Sequence, residues 1–265
     1  MKIVVIGGTG LIGSKVVSRL QEAGHEVVPA SPRLGINTIT GEGVLAALEG
    51  ASVVVDVSNS ANFEYATALP FFQTSTDNLI DAAKTAGVGH LVALSVVGAK
   101  ELSEGGDPET TTAGYFVAKQ LQESLIAASG IPWSIVHATQ FFEFIPGIAD
   151  VQTVDGTVRV PPVRFQPMAA DDVAAAVAGV ALEAPANDIV ETGGPDQDQF
   201  DAVIRTVLRA RNDPREVVAD PGAGYYGIAV RERTLVPADG ARQGAIHLDD
   251  WLRASLAEPA GSKSG

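Results

Sequence analysis

The chain has 265 residues, 46% of them hydrophobic and 19% charged, which is enough to bury the core of one large α/β domain or of a domain with a small appended lobe. Its 18 basic and 32 acidic residues give a net charge of −14, which disfavours nucleic acid as a partner. The absence of cysteine excludes disulfides, thiolate metal sites and a cysteine nucleophile. The sequence shows no signal peptide and no apolar run near the ~20 residues of a membrane helix, which predicts a cytoplasmic protein with no membrane partner.

The N-terminal segment combines an apolar strand with a glycine-rich turn. Residues 2–6 are dominated by β-branched apolar side chains, which predicts a strand buried on both faces. Three glycines follow where this strand must turn into a helix over residues 10–23: Gly7, Gly10 and Gly13. Such glycines allow a tight turn, close approach of a pyrophosphate and close packing of the helix, whose N-terminus offers free N–H groups. The pattern predicts a dinucleotide site, with a plain glycine-rich turn as the alternative.

The residues after the second predicted strand bear on the choice of dinucleotide. Residues 25–30 form that strand, and it ends in Ser31-Pro32-Arg33. Proteins specific for NAD usually carry an acidic residue here, ~20 residues past the glycines, to bind the ribose 2′-hydroxyl. A hydroxyl and an arginine suit a 2′-phosphate instead, so we expect NADP(H) to be preferred, with NAD(H) possible. The alternative is that Arg33 is an ordinary solvated loop residue.

A polar segment follows the third predicted strand. The strand covers residues 51–57 and exits into Ser58-Asn59-Ser60. Ligands of doubly wound sheets lie beyond the carboxyl ends of the strands, so Val57, Ser58 and Asn59 are candidate cofactor contacts. Ordinary turn chemistry explains the same three polar residues equally well.

The alternation of strands and helices indicates the fold class. A short helix at residues 41–49 precedes the third strand, and a long helix at residues 64–86, interrupted near Pro70, separates it from a fourth strand at residues 90–95. This rhythm requires a parallel sheet with right-handed crossovers. We therefore predict an α/β protein with a doubly wound parallel sheet.

A tyrosine and a lysine near the middle of the chain have the spacing of an acid–base pair. A polar, acidic loop at residues 98–112 is expected to be a flexible flap, and a helix opens after it at Gly114. Tyr115 and Lys119 are four residues apart, so they lie on one helix face, where an ammonium would lower the pKa of the phenol. Ser95, at the end of the fourth strand, is positioned to donate to the same substrate oxygen. The alternative is a boundary tyrosine and a solvated lysine.

Aromatic residues follow the fifth predicted strand, which covers residues 131–137 and ends at His137. We interpret His137 as a structural hydrogen-bonding residue rather than a catalyst. Ligand sites are largely apolar, so Phe141 is expected to line a substrate pocket, whereas core and pocket are equally good interpretations of Phe142 and Phe144.

The chain departs from the alternating pattern after residue 152. Asp155-Gly156 between apolar residues predicts a hairpin that begins a smaller lobe. Asp171 and Asp172 open a helix that ends at Leu182, and we interpret them as acids at a helix N-terminus rather than as a carboxylate pair for catalysis or metal binding. No metal-ligand spacing is found.

The remaining elements complete the predicted domain organisation. They are a strand at residues 188–192, a helix at residues 199–211, an irregular region in which Tyr225 and Tyr226 are placed to close over substrate, and a final helix with Trp251. We divide the chain into a dinucleotide-binding domain at residues 1–152, a mixed segment at residues 153–258 that contributes the substrate lobe and returns in part to the first core, and a disordered tail at residues 259–265.

Four motifs together resemble an atypical short-chain dehydrogenase/reductase of the NmrA-like NAD(P)-binding family. They are the glycine pattern, the strand end at Ser95, Tyr115-x-x-x-Lys119 and the segment at residues 165–174. The resemblance implies a Rossmann domain completed by a small C-terminal substrate lobe. It also implies that Lys119 holds the nicotinamide ribose, that Tyr115 is the acid, and that the exit of the fifth strand passes beside the nicotinamide ring.

The motifs and the resemblance together give the predicted site. The expected cofactor contacts are Gly7, Thr9, Gly10, Leu11, Ile12, Gly13, Ser31, Arg33, Val57, Ser58, Asn59, Ser95, Lys119, Ala138, Thr139 and Phe141. The expected catalytic residues are Tyr115, Lys119 and Ser95, and the expected substrate contacts are Phe141, Phe142, Phe144 and Tyr225.

The predicted function is an NAD(P)H-dependent oxidoreductase that reduces a carbonyl or quinone of a hydrophobic, aromatic small molecule, such as a polycyclic quinone of secondary metabolism. Tyr115 would donate the proton and the nicotinamide would donate the hydride. A redox sensor that binds the dinucleotide without turnover is the alternative, and an isomerase or cyclase on the same fold is a third possibility. The oligomeric state stays open between monomer and homodimer.

Overall fold

The computed structural model describes residues 1–257, and the tail predicted at residues 259–265 lies outside them. The helices are α1 (Leu11–Glu22), α2 (Val44–Leu48), α3 (Tyr65–Ala86), α4 (Ala99–Glu104), α5 (Ala113–Ala128), α6 (Ile145–Val151), α7 (Ala170–Leu182), α8 (Phe200–Ala210) and α9 (Leu248–Ala257). The strands are β1 (Lys2–Ile6), β2 (Glu26–Ala30), β3 (Val53–Asp56), β4 (His90–Val96), β5 (Trp133–Ala138), β6 (Thr153–Val154), β7 (Thr157–Val160), β8 (Arg164–Phe165), β9 (Ile189–Gly193), β10 (Asp198–Gln199), β11 (Glu216–Ala219) and β12 (Arg242–Gln243).

The central sheet has seven strands in the order β12-β9-β5-β4-β3-β1-β2, and each pair of neighbours is parallel. Ile3, Val4 and Val5 of β1 are fully buried, because helices cover both faces of the sheet. The chain order reverses on either side of β1, so the sheet is doubly wound. The predicted fold class is confirmed.

Each face of the sheet has its own apolar core. On one face, α1 and α7 pack together through residues such as Leu20 and Val177. On the other face, α3 and α5 cover the strands with Leu79 and Ile126. All four side chains are nearly or fully buried, so the helices are held to the sheet mainly by apolar burial.

The smaller lobe is built from short strands and α8, and its core is continuous with apolar residues of α3, α4 and α5 such as Phe72, Leu102 and Phe116. The predicted hairpin at Asp155-Gly156 is confirmed: β6 and β7 are antiparallel, and the two turn residues have φ of +50° and +78°. Phe165 and Phe200 are fully buried in this lobe, with ring centroids 4.4 Å apart. After β8 the chain returns to the central sheet through α7, β9 and, later, β12.

Two predicted elements differ in the structure. Helix α3 is continuous through Pro70, because the buried residues Ala68 and Phe72 on either side hold that turn against the core. The expected flap at residues 98–112 begins with α4, whose Ala99 and Leu102 are fully buried, so its first half is packed structure. Within residues 1–257, none of the helices is long and apolar enough to cross a membrane.

Candidate functional site

A cavity of about 870 Å³ lies at the carboxyl ends of the strands of the central sheet. Its walls come from the ends of β1 to β5, from α5 and from the smaller lobe, and they are mainly apolar. The volume is within the range of small-molecule and cofactor sites, roughly 300–1,000 Å³. Its position is the one at which doubly wound sheets bind dinucleotides.

The glycine turn between β1 and α1 forms a backbone cradle at one end of the cavity. Gly7 has a φ of +78°, a backbone conformation that residues with a side chain rarely adopt. A Cβ on Gly8 would lie 2.7 Å from the Val5 carbonyl oxygen, and a Cβ on Gly13 would lie 2.0 Å from the Gly7 oxygen. Helix α1 has neither a capping side chain nor an acidic residue in its first turn. These features fit a pyrophosphate, because the free N–H groups and the helix dipole both favour an anion.

Most of the predicted cofactor contacts line the cavity. They are Gly7, Thr9, Gly10, Leu11, Ile12, Ser31, Val57, Ser58, Asn59, Ser95, Lys119, Ala138, Thr139 and Phe141. Gly13 is not among the lining residues, because it packs α1 against the turn. Arg33 is exposed and also falls outside the lining. Residues 37–39 line the cavity as well, and no periodicity or motif in the sequence indicates them.

A buried aspartate shapes the exit of β3. Asp56 accepts hydrogen bonds from the Ser58 amide at 2.9 Å, the Ser58 hydroxyl at 2.6 Å and the Gln122 side-chain amide at 3.0 Å. Burial raises the pKa of Asp56, although these hydrogen bonds and the charge of Lys119 oppose the shift. Asp56 therefore holds Ser58 at the cavity wall, and the sequence prediction did not single it out.

Tyr115 is buried at the cavity wall with a neutral partner. Its hydroxyl donates to Asn59 Oδ1 at 3.0 Å, and its ring packs edge-on against Phe63 with 4.8 Å between centroids. Burial raises the pKa of Tyr115 well above its usual value, and the hydrogen bond to Asn59 opposes that shift only in part. The phenol is therefore fully protonated at neutral pH.

Lys119 lines the cavity but does not activate Tyr115 as expected. Its ammonium donates to the Leu94 carbonyl oxygen at 2.8 Å and to the Gln122 side-chain oxygen. Burial lowers the pKa of Lys119 to about 8, against the opposing charges of Asp56 and Glu123. The expected lowering of the tyrosine pKa by a neighbouring ammonium is therefore wrong for this structure, because burial dominates and the ammonium is directed toward β4 and Gln122.

Ser95 is joined to a second buried carboxylate rather than to Tyr115. Its hydroxyl donates to Glu123 Oε1, which His137 Nε2 also contacts at 3.0 Å. Burial would raise the pKa of Glu123, but the hydrogen bonds from His137 and Ser95 and the charges of His137 and Lys119 hold it below its usual value. His137 does not line the cavity.

The sequence contained a signal for this buried network that the prediction did not use. Lys119, Gln122 and Glu123 have i, i+3 and i+4 spacing, which places them on one helix face. Asp56 ends an otherwise apolar strand. Polar residues at such positions are expected to pair with one another, because burial without a partner is unfavourable.

The aromatic exit of β5 divides between cavity and core. Phe141 and Phe144 line the cavity and stack with 5.3 Å between centroids. Phe142 does not line it: only 1% exposed, it packs against Trp251 in the core, so its assignment as a substrate contact is wrong. Residues Phe142–Phe144 form one turn of 3₁₀ helix, so Phe141 and Phe144, three residues apart, lie on the same side and Phe142 lies on another. Tyr225 lines the cavity from the smaller lobe.

The two aspartates at the start of α7 have separate structural partners. Asp171 pairs with Lys15 of α1 at 2.9 Å, and Asp172 accepts a hydrogen bond from the Ile246 amide at 2.8 Å. Glu143, a cavity residue that the sequence prediction missed, accepts hydrogen bonds from the Ala170 amide and from the Trp251 indole. These contacts tie α1, α7 and α9 to the wall of the cavity.

The doubly wound sheet, glycine cradle and cavity define a Rossmann-type dinucleotide-binding fold. A family model described as NAD(P)H-binding matches residues 37–185, and the chain belongs to this family. The match covers more than half of the chain and confirms the predicted NAD(P)-binding family.

Curated relatives are more distant. The chain is 26% identical over 206 residues to the photosystem II assembly factor Ycf39 of Synechocystis sp., covering 70% of this chain and 60% of that protein. It is 27% identical over 173 residues to the Ycf39 of Cyanophora paradoxa, covering 58% of this chain and 51% of that protein. The chain thus spans about half to three fifths of the length of these relatives.

Solved structures share the fold at low identity. A short-chain dehydrogenase/reductase superfamily protein from Agrobacterium tumefaciens with bound NAD has a TM-score of 0.71 and 18% identity, with 96% of each chain covered. The UDP-glucose 4-epimerase of Thermus thermophilus in complex with NAD has a TM-score of 0.64 and 19% identity, with 98% of this chain and 94% of that chain covered. These likenesses bear on the fold alone.

Proposed function

We propose that the chain is an NAD(P)H-dependent reductase of a carbonyl or quinone group on an apolar, aromatic small molecule. The observation that carries this proposal is Tyr115, a protonated phenol that lines the dinucleotide cavity. A reduction needs an acid beside the reacting oxygen, and the Tyr115 phenol, which is protonated at neutral pH, is available for that role at the cavity wall. The bound dinucleotide supplies the hydride, and the chain supplies orientation, the proton and exclusion of water.

The cradle and the strand exits support a placement for each half of the cofactor. The glycine turn and the N-terminus of α1 would hold the pyrophosphate, and Ser31 would face the adenosine side. The Ser31 hydroxyl is buried at the cavity wall without a hydrogen-bond partner among residues 1–257, and so is the hydroxyl of Thr139 at the exit of β5. A ligand hydroxyl or amide would satisfy either group, since unpaired buried hydroxyls are unfavourable.

The rim of the cavity supports an apolar substrate. Apolar side chains of the rim are each more than a third exposed: Leu11, Ile39, Phe63, Phe144 and Val151. Exposed apolar groups that gather at a cavity mouth are typical of ligand sites. A quinone or aromatic ketone would cover them while presenting one oxygen to Tyr115.

The decisive experiment follows oxidation of NADPH by absorbance with a panel of quinones and aromatic ketones. We expect turnover that Tyr115→Phe lowers by about 100-fold or more, the usual range for loss of a general acid, with unchanged NADPH affinity. A matched control is Tyr65→Phe, a tyrosine on α3 that is not among the cavity residues. Tight binding of NADPH without its oxidation by any compound of the panel would refute the proposed reductase activity.

The preference for NADP(H) is a separate proposal that rests on Arg33 and the missing acidic residue. Arg33 belongs to the short turn at Pro32–Leu34, directly after the cavity residue Ser31. We expect Arg33→Ala to lower the affinity for NADPH more than the affinity for NADH, because only NADPH carries the 2′-phosphate. An unchanged affinity ratio would contradict this preference.

One observation favours a second candidate function, a dinucleotide-binding protein without turnover. Lys119 and Ser95 are both directed at internal partners, so neither supports Tyr115. The Ycf39 relatives are named as assembly factors, and such a role would need dinucleotide binding but no proton donor. The NADPH oxidation assay distinguishes the two functions.

A further inference from the structure

The smaller lobe contributes a tight turn to the cavity. The Tyr225 amide donates to the Ile228 oxygen at 2.8 Å, and the Ile228 amide donates to the Tyr225 oxygen at 3.0 Å. The two central residues, Tyr226 and Gly227, have φ of +51° and +81°. A two-residue turn with both φ values positive strongly prefers Asn-Gly or Asp-Gly.

Tyr226 is an exception to that preference. Among residues 1–257, the other non-glycine residues with positive φ are Asp155, Asn187 and Asn212, whose side chains tolerate this conformation. Asp155-Gly156 forms the corresponding turn between β6 and β7. A bulky aromatic residue in the left-handed region is strained, and such strain is kept where the surrounding structure and the function require it.

Contacts to the backbone hold this turn in place. The Tyr226 amide donates to the Gln152 side-chain oxygen at 3.1 Å, and the Thr112 hydroxyl donates to the Tyr226 oxygen at 3.2 Å. Gln152 is itself buried and donates to the Gly224 oxygen at 2.7 Å. Because these bonds involve only main-chain atoms of Tyr226, they do not explain why the residue is a tyrosine.

The ring of Tyr226 lies where it would meet a ligand. Tyr226 lines the cavity and packs edge-on against Tyr225, with 4.8 Å between centroids and 84° between planes. Phe63, Phe116 and Phe144 line the same cavity. Aromatic rings select planar apolar partners by stacked or edge-to-face contact.

We infer that Tyr226 is a specificity-determining residue that forms the smaller lobe's wall of a subsite for planar, apolar ring compounds. The strain of its backbone is the consequence of placing an aromatic ring at a turn position that suits asparagine. This inference deepens the proposed function and rests on it for the identity of the site as the substrate site.

The test combines stability with ligand binding. Tyr226→Asn places the preferred residue in the turn, so we expect a melting temperature equal to or above that of the wild type. We expect the dissociation constant of 1,4-naphthoquinone, measured by quenching of tryptophan fluorescence with NADP⁺ bound, to rise about tenfold from the loss of ring contact. The affinity for NADP⁺ should stay within twofold, and Tyr226→Phe should restore naphthoquinone binding.

The matched control is Asp155→Asn, a change in the corresponding turn away from the cavity, which should alter neither quantity. The inference is overturned if Tyr226→Asn binds naphthoquinone like the wild type, if its melting temperature falls, or if the wild type does not bind the quinone. Binding is measured without turnover. A protein that binds naphthoquinone through Tyr226 but never oxidises NADPH would therefore refute the proposed reductase and leave this inference standing.

Discussion

Substitution of Gly13 by alanine tests whether the glycine turn is set by backbone packing. The added Cβ would lie 2.0 Å from the Gly7 oxygen and 2.8 Å from Gly8 Cα, and both are backbone atoms that cannot rotate away. Forcing a methyl group into a packed site destabilises a protein by about 1–3 kcal/mol. Alanine in a helix otherwise gains up to ~1 kcal/mol over glycine, so the clash must be separated from this gain.

Two alanine variants provide the separation. In the part of the chain that the structure describes, no atom lies within 4 Å of a Cβ added at Gly179 of α7, so Gly179→Ala should stabilise the fold by roughly 0.5–1 kcal/mol. Gly10 lines the cavity, and its added Cβ would meet only the Gly7 oxygen, at 3.3 Å. Gly10→Ala should therefore keep most of the stability of the fold. It should weaken dinucleotide binding about tenfold or more, because the methyl group would lie between the backbone and the pyrophosphate.

Thermal unfolding and NADPH titration measure both effects. The gain of alanine over glycine applies to both helices, so we expect Gly13→Ala and Gly179→Ala to differ by about 1–3 kcal/mol in unfolding free energy, which corresponds to roughly 2–12 °C in melting temperature for a chain of this size. Gly13→Ala should also lose NADPH affinity, since the turn must move away from α1. If Gly13→Ala has the same melting temperature as Gly179→Ala, the close packing of α1 on the glycine turn does not constrain residue 13.

Two further predictions concern buried groups. Phe200 is fully buried against Phe165, so Phe200→Ala should lower the free energy of unfolding in urea by about 3–5 kcal/mol, and a loss below ~1 kcal/mol would contradict the packing of the smaller lobe. The pKa of Lys119 is lowered to about 8, so between pH 8 and 10.5 the folded state releases this proton before the unfolded state does. Unfolding free energy of the wild type should therefore rise across that window relative to Lys119→Met, by up to ~3 kcal/mol. Urea unfolding of both proteins at pH 7.5, 9 and 10.5 measures the difference, and a constant difference would show that Lys119 is not buried as a titrating group.

Local patterns in the sequence predicted the fold well. The apolar run at residues 2–6 and the glycines behind it predict a buried strand, a tight turn and a helix from neighbouring residues alone. The short strands β11 and β12 were not predicted, because four and two residues with mixed polarity carry no distinct periodicity. The continuity of α3 through Pro70 was also missed, since it depends on the burial of Ala68 and Phe72 against other helices.

What the sequence determined by itself is the chemistry available at the carboxyl edge of the sheet: the glycine cradle, the polar exits of the strands and the pair Tyr115 and Lys119. The tertiary structure decided how those groups are used. The spacing places Lys119 on the same helix face as Tyr115. In the structure, however, its ammonium binds the Leu94 carbonyl oxygen of β4 and the Gln122 side-chain oxygen instead of the tyrosine. Burial raises the pKa of the phenol because the surrounding apolar groups, brought together only by folding, disfavour the phenolate. Gln122 is a local partner that the helical spacing indicates, whereas Leu94, Asn59 and the groups that desolvate the phenol are far from these residues in the chain, and therefore no local pattern contains them.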